Sequence, residues 1–332
     1  MPAAAVSDSR QDRGRRGGAA TRSCGRGPSR AQIVRGTAAL SLASILSPFV
    51  TAQTARPTKM NTRPIPSTGE ALPVIGCGTY IGFDHAPGSP EYALLPVVIG
   101  ALLDAGGKVL DSSPMYGRAE ATTGELLAAS GRRAEAFLAT KVWTQGRTEG
   151  VRQMETSMRL LRADRIDLMQ IHNLLDWRTH LKTLRAWKDA GRIRYLGITH
   201  YTSSAYADVE AVLRSEKLDF LQINYALDDR EAERRILPLA AERGVAVIVN
   251  MPFGGGGLLR GLLAKPLPSW AAEIGCTSWA QLLLKFVLSH PAVTCAIPGT
   301  RRREHMEDNV RAGFGSVPAP EFWRDKLAAI VR

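Results

Sequence analysis

From residue 74 onward, short apolar runs alternate with longer segments in which apolar positions recur every three or four residues. The first pattern predicts strands and the second predicts helices. Strands are expected over 74–78, 108–111, 136–142, 166–172, 194–199, 218–225, 245–250 and 293–298. Helices are expected over 91–105, 119–129, 150–162, 178–190, 205–215, 231–243, 278–289, 302–312 and 322–330. Glycines at 106–107, 131, 191 and 244 mark where several helices stop. Upstream, segments 63–65 and 71–73 flank the turn-rich stretch 66–70, which predicts a short hairpin. The strands are rich in Val, Ile and Leu and alternate little, as in a parallel sheet covered on both faces. Eight strand–helix units over about 250 residues predict an α/β fold, a closed (β/α)8 TIM barrel preceded by the hairpin. An open doubly wound sheet is the alternative. It usually begins with G-x-G-x-x-G, and Gly76-Cys77-Gly78-Thr79-Tyr80-Ile81-Gly82 has the wrong spacing.

The 332 residues are 45% hydrophobic and carry a net charge of +12. The charge is concentrated at the start, with nine arginines against two aspartates in residues 1–56. No aromatic residue interleaves those arginines before Phe49, which argues against a nucleic-acid surface. The segment reads instead as a leader over residues 1–59, removed or outside the fold. The arginines from Arg13 to Arg35 precede a mildly apolar stretch, 36–50, with small-residue cleavage positions at 50–52 and 53–55. That stretch is shorter than the ~20 residues a membrane span needs. Ser29-Arg30-Ala31-Gln32-Ile33-Val34-Arg35 resembles a twin-arginine export signal, with Ala31 where the second arginine belongs. The export machinery would then be a partner and the location periplasmic. If the leader is instead an upstream extension and Met60 the start, the location is cytoplasmic. Residues 60–332 are expected to form one barrel domain. Cys77, Cys276 and Cys295 are too few and too widely spaced for a disulfide framework or a metal site.

Four strand ends carry polar residues that a core would not choose. They are Asp111, with Tyr116 five residues on, then Lys141, His172 and the turn at Gly299-Thr300. Strand ends of a (β/α)8 barrel share one mouth. Lys141 lies in an apolar run, and a buried ammonium needs a partner, which Asp111 on the neighbouring strand supplies. Tyr116 is a candidate general acid. Each also has a structural explanation: an inter-strand ion pair, a packed tyrosine, a hydrogen-bonded core histidine.

Together, Asp111, Tyr116, Lys141 and His172 resemble the tetrad of the aldo-keto reductase superfamily in identity, order and strand position. Their contexts are Asp-Ser-Ser-Pro-Met-Tyr-Gly, Ala-Thr-Lys-Val-Trp and Gln-Ile-His-Asn. The resemblance covers residues ~62–314. It implies reversible reduction of an aldehyde or ketone by a reduced nicotinamide. Tyr116 would give the proton, Lys141 would lower its pKa, Asp111 would anchor the lysine, and His172 would orient the carbonyl. It also implies a cofactor cradle. Gly78, Thr79 and Tyr80 would approach the nicotinamide. Thr199 and His200 stand where the family often has Ser-Asn, and Gln222 matches a family glutamine. Asn250 replaces a frequent ring-stacking tyrosine. Pro252 and the Gly254–Gly257 run lie near the pyrophosphate, and Ile297 lies before the last turn. Thr300, Arg301 and His305 resemble phosphate contacts, and Asp308 and Asn309 adenine contacts. Gly299 and His305 replace a frequent Lys and Arg, and the cradle is expected to take NADP(H) ahead of NAD(H). Tyr80, Phe83, Trp143, Trp177 and Met251 would wall an open pocket for an apolar carbonyl compound. The alternatives are a non-catalytic NADP-binding sensor of the same fold and a lyase using Lys141 as a Schiff base.

Overall fold

A short antiparallel hairpin opens the architecture: β1 (Thr62–Pro64) pairs with β2 (Ala71–Pro73). A computed structural model describes residues 59–330, so the leader's arginines and cleavage positions lie outside the described residues. Eight parallel strands follow. They are β3 (Cys77–Gly78), β4 (Val109–Asp111), β5 (Phe137–Val142), β6 (Ile166–His172), β7 (Ile193–Thr199), β8 (Phe220–Asn224), β9 (Ala246–Asn250) and β10 (Val293–Ala296). Parallel bridges Ile75↔Ala296 and Gly78↔Gly299 join the first strand to the last and close the barrel. Helices cover the outside, including Ala119–Ala129 at the predicted bounds. Among the described residues no helix is long and apolar enough to cross a membrane.

Both faces of the strands are buried, which is why the sequence alternates so little between polar and apolar. The alternation survives as two separate cores. Val109, Phe137, Ala139, Leu168, Tyr195, Phe220, Ala246, Ile248, Cys295 and Ile297 fill the barrel, and Ile65 and Leu72 of the hairpin join them from below. A larger outer core lies between strands and helices. Side chains two apart on a strand share a face. Counting upward from this inner set, the next inward positions are Asp111, Lys141, Gln170, His172, Gln222 and Asn250. The barrel interior is therefore apolar at its base and polar at its mouth. The hairpin is fastened to the base by Arg63, which donates to the His290 carbonyl at 2.8 Å, and by Glu70, which accepts from the Tyr195 hydroxyl at 2.6 Å.

Three predicted helices are interrupted. The expected helix 91–105 is split into Pro90–Ala93 and Leu95–Asp104, because Pro96 has no N–H for the Tyr92 carbonyl. The expected helix 231–243 is a 3-10 turn, Glu231–Glu233, followed by Ile236–Glu242, with Pro238 confined to the first turn. The terminal helix is two pieces, Pro320–Trp323 and Leu327–Ile330, with the polar run Arg324-Asp325-Lys326 between them. The glycine-rich run is not a plain loop. Gly254–Gly256 is a 3-10 turn leading into a helix, Gly257–Leu262, that the sequence pattern does not predict.

Two helices approach closely at Gly124, where a Cβ would lie 2.2 Å from the Leu160 carbonyl oxygen. Backbone cannot yield there as a flexible side chain would. Gly124→Ala is expected to cost about 1–3 kcal/mol. In a domain of this size that lowers Tm by roughly 2–4 °C per kcal/mol, measurable by thermal unfolding. An unchanged Tm would contradict the packing described.

Candidate active site

Asp111 ends β4 opposite Ala139, so Lys141 lies two residues higher on the same inward face of β5. The lysine stem spans that step. Its Nζ donates to Asp111 Oδ2 at 2.7 Å and to the Ser112 carbonyl at 2.6 Å. Both side chains are almost wholly buried. Asp111 Oδ1 also accepts from Gln170 Nε2 at 3.1 Å and, across the barrel, from Gln222 Nε2 at 2.8 Å. A carboxylate removed from water is thus met by three donors, which is what burying it requires. Burial alone would lower the Lys141 pKa. Asp111 and then Tyr116 outweigh it and hold the ammonium above its ordinary value.

Tyr116 follows in the turn after β4, its N–H donating to the Ser113 carbonyl at 3.0 Å. Gly117 has φ +57°, and a Cβ there would overlap the Asp84 carboxylate, so glycine permits the turn. Asp84 Oδ1 accepts the Arg118 N–H at 2.8 Å and fastens the turn to the loop after β3. Lys141 Nζ sits 5.0 Å from the centre of the Tyr116 ring. The sequence reading has Lys141 bringing the phenol's pKa down toward neutrality. In the structure Lys141 does pull it down, but burial pushes it up further, and the net shift is upward. At neutral pH the phenol holds its proton. His172, at the end of β6, lies with its ring 6.1 Å from Tyr116 and 6.4 Å from Trp143. Burial first, then the Lys141 charge and His200, bring its pKa down to about 3, so the imidazole is neutral.

The other predicted positions divide into two groups at the mouth. Gly78 ends β3 and Thr79 and Tyr80 follow it, and Thr79 is tied down by its Oγ1 donating to the Asp111 carbonyl at 3.0 Å. Thr199 Oγ1 donates to Gln222 Oε1 at 3.2 Å, so Gln222 is engaged at both ends. Asn250 Nδ2 donates to the His200 carbonyl at 3.3 Å, while Asn250 Oδ1 and Asn173 Oδ1 are buried with no partner among the described residues. Gly254 has Asp228 against it, and Pro252 and Ile297 are buried. Across the closing seam from Gly78, Gly299 packs so near the Gly78 carbonyl that a Cβ would stand 3.1 Å from its oxygen. The exposed turn Arg301-Arg302-Arg303 leads into the helix Arg303–Arg311, whose start no side chain among the described residues caps. His305 Nδ1 lies 3.5 Å from Thr300 Oγ1. Asp308 accepts from Ser278 and Gln281, both at 2.6 Å, and Asn309 is buried.

These features fit a dinucleotide. A helix start with open N–H groups beside arginines suits a phosphate, the glycine pair admits a close approach, and the orphaned Asn250 oxygen can accept an amide N–H. Of the proposed pocket walls, Tyr80, Trp143 and Met251 are exposed at the mouth, and Tyr80 lies 4.9 Å from the Tyr116 ring. Trp177 is half-buried under Arg178. Phe83 is wholly buried in the outer core and walls nothing, because the loop after β3 turns it inward. Gln170 and the Ser112 carbonyl belong to the site without having been singled out. Gln170 could have been found by its position two residues before His172 on the same face.

The pairing is asymmetric, and that can be measured. Asp111→Asn leaves a buried ammonium without its counter-ion and is expected to cost about 3–5 kcal/mol. Lys141→Met leaves Asp111 with its two glutamine donors and should cost clearly less. Urea denaturation of both variants tests this, and equal losses would count against the network described.

Comparison with known proteins shows the family and the fold. The aldo/keto reductase family model matches residues 74–322. Methylglyoxal reductase YeaE of Escherichia coli (strain K12) is 30% identical over 250 residues, covering 72% of this chain and 84% of its own. Aldo-keto reductase YhdN of Bacillus subtilis (strain 168) is 30% identical over 215 residues, covering 60% of this chain and 62% of its own. Among solved structures, an aldo-keto reductase from Klebsiella pneumoniae in complex with NADPH has a TM-score of 0.68 at 26% identity, covering 82% of this chain and 94% of its own. A barrel closed at Gly78 and Gly299, with an aspartate, a lysine, a tyrosine and a histidine converging at its mouth, therefore belongs to the aldo/keto reductase family of oxidoreductases acting on the carbonyl–alcohol pair.

Proposed function

We propose that this protein reduces an aldehyde or ketone to the alcohol with NADPH, Tyr116 giving the proton. The observation that carries this is the Lys141 ammonium, held by Asp111 and Ser112 and lying 5.0 Å from the Tyr116 ring at the mouth. NADPH, when bound, supplies the hydride to the carbonyl carbon. Tyr116 enters the reaction protonated, since burial keeps its proton on at neutral pH. As the carbonyl oxygen gains charge, the phenol O–H transfers its proton, and the phenolate left behind faces Lys141, which stabilises it electrostatically. His172 is neutral and donates to the same oxygen, adding a second point of orientation. Thr300 and Arg301, the helix start that follows them and His305 in its first turn would hold the 2′-phosphate. Asn250 Oδ1 receives the carboxamide.

The exposed Tyr80, Trp143 and Met251 around the mouth favour an apolar or aromatic substrate. A Schiff-base reading of Lys141 fits poorly, because its nitrogen is held protonated and offers no lone pair. A sensor that only binds NADP has no use for a tyrosine poised over that lysine.

The test is NADPH oxidation by the full chain across a panel of aldehydes and ketones, with methylglyoxal included because one relative is named for it. Tyr116→Phe is expected to lower kcat by about 10²–10⁴ while NADPH still binds. Normal turnover in that variant would sink the assignment. Arg301→Ala should weaken NADPH by roughly tenfold, as loss of one charge-assisted contact does, and leave NADH almost unaffected. Equal weakening of both would place the 2′-phosphate elsewhere.

A further inference from the structure

Ser113 is the second residue after Asp111 and is wholly buried. Its hydroxyl has two neighbours. The oxygen lies 3.2 Å from His172 Nδ1, and it accepts the Met115 N–H at 3.5 Å. The Met115 bond takes a lone pair and leaves the hydroxyl hydrogen to be placed. Among the described residues, His172 Nδ1 is the one acceptor within reach of it. A buried hydroxyl that fails to donate costs about 1–3 kcal/mol, so the hydrogen points at Nδ1. His172 has a single imidazole proton to place, since it is neutral. With Nδ1 serving as acceptor, that proton stands on Nε2, which makes no hydrogen bond among the described residues.

We infer that Ser113 is a positioning residue: its hydroxyl donates to Nδ1 of His172 and so fixes the imidazole as the Nε2–H tautomer, with its N–H aimed at the substrate oxygen. The inference rests on the carbonyl-reducing role proposed above for His172. It concerns a different atom pair from the Asp111–Lys141–Tyr116 contacts. Without the serine hydroxyl, either ring nitrogen can carry the proton. An Nδ1–H ring would present a lone pair to the carbonyl oxygen, repelling it as negative charge develops. The effect is on the transition state, so it should fall on kcat more than on cofactor affinity.

The experiment uses the full chain, uniformly 15N-labelled, with NADP+ bound. Long-range 1H–15N correlation spectra report which ring nitrogen of His172 is protonated, and a His172→Gln spectrum assigns the resonances. Expected in the parent protein is protonated Nε2 and unprotonated, hydrogen-bonded Nδ1. In Ser113→Ala the two tautomers should mix, and kcat for carbonyl reduction should fall about five- to tenfold, the worth of one neutral hydrogen bond, while the NADPH Kd stays within twofold. Ser113→Thr restores the hydroxyl and should restore both readouts. It also controls for a folding defect in the alanine variant. Protonation on Nδ1 in the parent protein overturns the inference. So does an Ser113→Ala variant with an unchanged tautomer, or one with mixed tautomers and full kcat. Absence of NADPH oxidation by the parent protein would instead count against the proposed reaction, and the tautomer spectrum would still decide whether Ser113 sets the ring.

Discussion

A buried ion pair between Asp111 and Lys141 is the contact on which the rest of the mouth depends. Neither charge is buried without partners, because removing an ion from water costs several kcal/mol even after relaxation. The structure meets that cost with geometry. Asp111 gathers donors from β5, β6 and β8, so one carboxylate ties together strands on opposite sides of the barrel. The lysine, held as a cation, then supplies the positive field in which Tyr116 and His172 sit. Burial keeps the imidazole neutral in the first place, and the same ammonium that would stabilise a phenolate adds to this by disfavouring a second positive charge nearby.

The barrel interior is graded along its axis, and this positions the pair. At the base, Leu72, Phe137, Tyr195 and Phe220 pack as an ordinary apolar core. Near the mouth, the same inward positions change to Asp, Lys, Gln and His. Stability comes from the lower layers, so the upper ones are free to carry polar chemistry. Backbone strain gathers at the same end. Ile81, Asn173, Leu174, Asp176 and Met251 all have positive φ and all lie in loops after strands, as happens where loop conformation is fixed by a site rather than by local preference.

The rim proposed to hold the cofactor is built differently from the Asp111–Lys141 mouth. It relies on backbone and on exposed charge: a glycine pair that closes the barrel, an uncapped helix start and a solvated arginine turn. Exposed arginines act by summed field and by contact with the ligand rather than by holding one another in place. Asp308 is occupied by the start of the neighbouring helix, and Gln222 by Asp111 and Thr199. Residues that a resemblance assigns to the ligand are therefore partly committed to the protein itself.

The sequence by itself determined the order of the eight barrel strands, the closed parallel barrel, the hairpin below it and the four residues at the mouth. These rest on local signals: apolar runs, helical periodicity, and charges placed where a strand must end. What it could not express is direction and distance. Both faces of each strand are buried, so the inward face is invisible until the barrel closes. Only then do Gln170 and Gln222 prove to be Asp111's donors, and only then does Phe83 turn from a pocket wall into core. The helix breaks at Pro96 and Pro238 were legible from proline's missing N–H, against the stronger apolar period around them. The protonation of Tyr116 and His172 was not legible at all. It depends on how much water the fold removes compared with how near it brings one lysine, and that balance exists only in three dimensions.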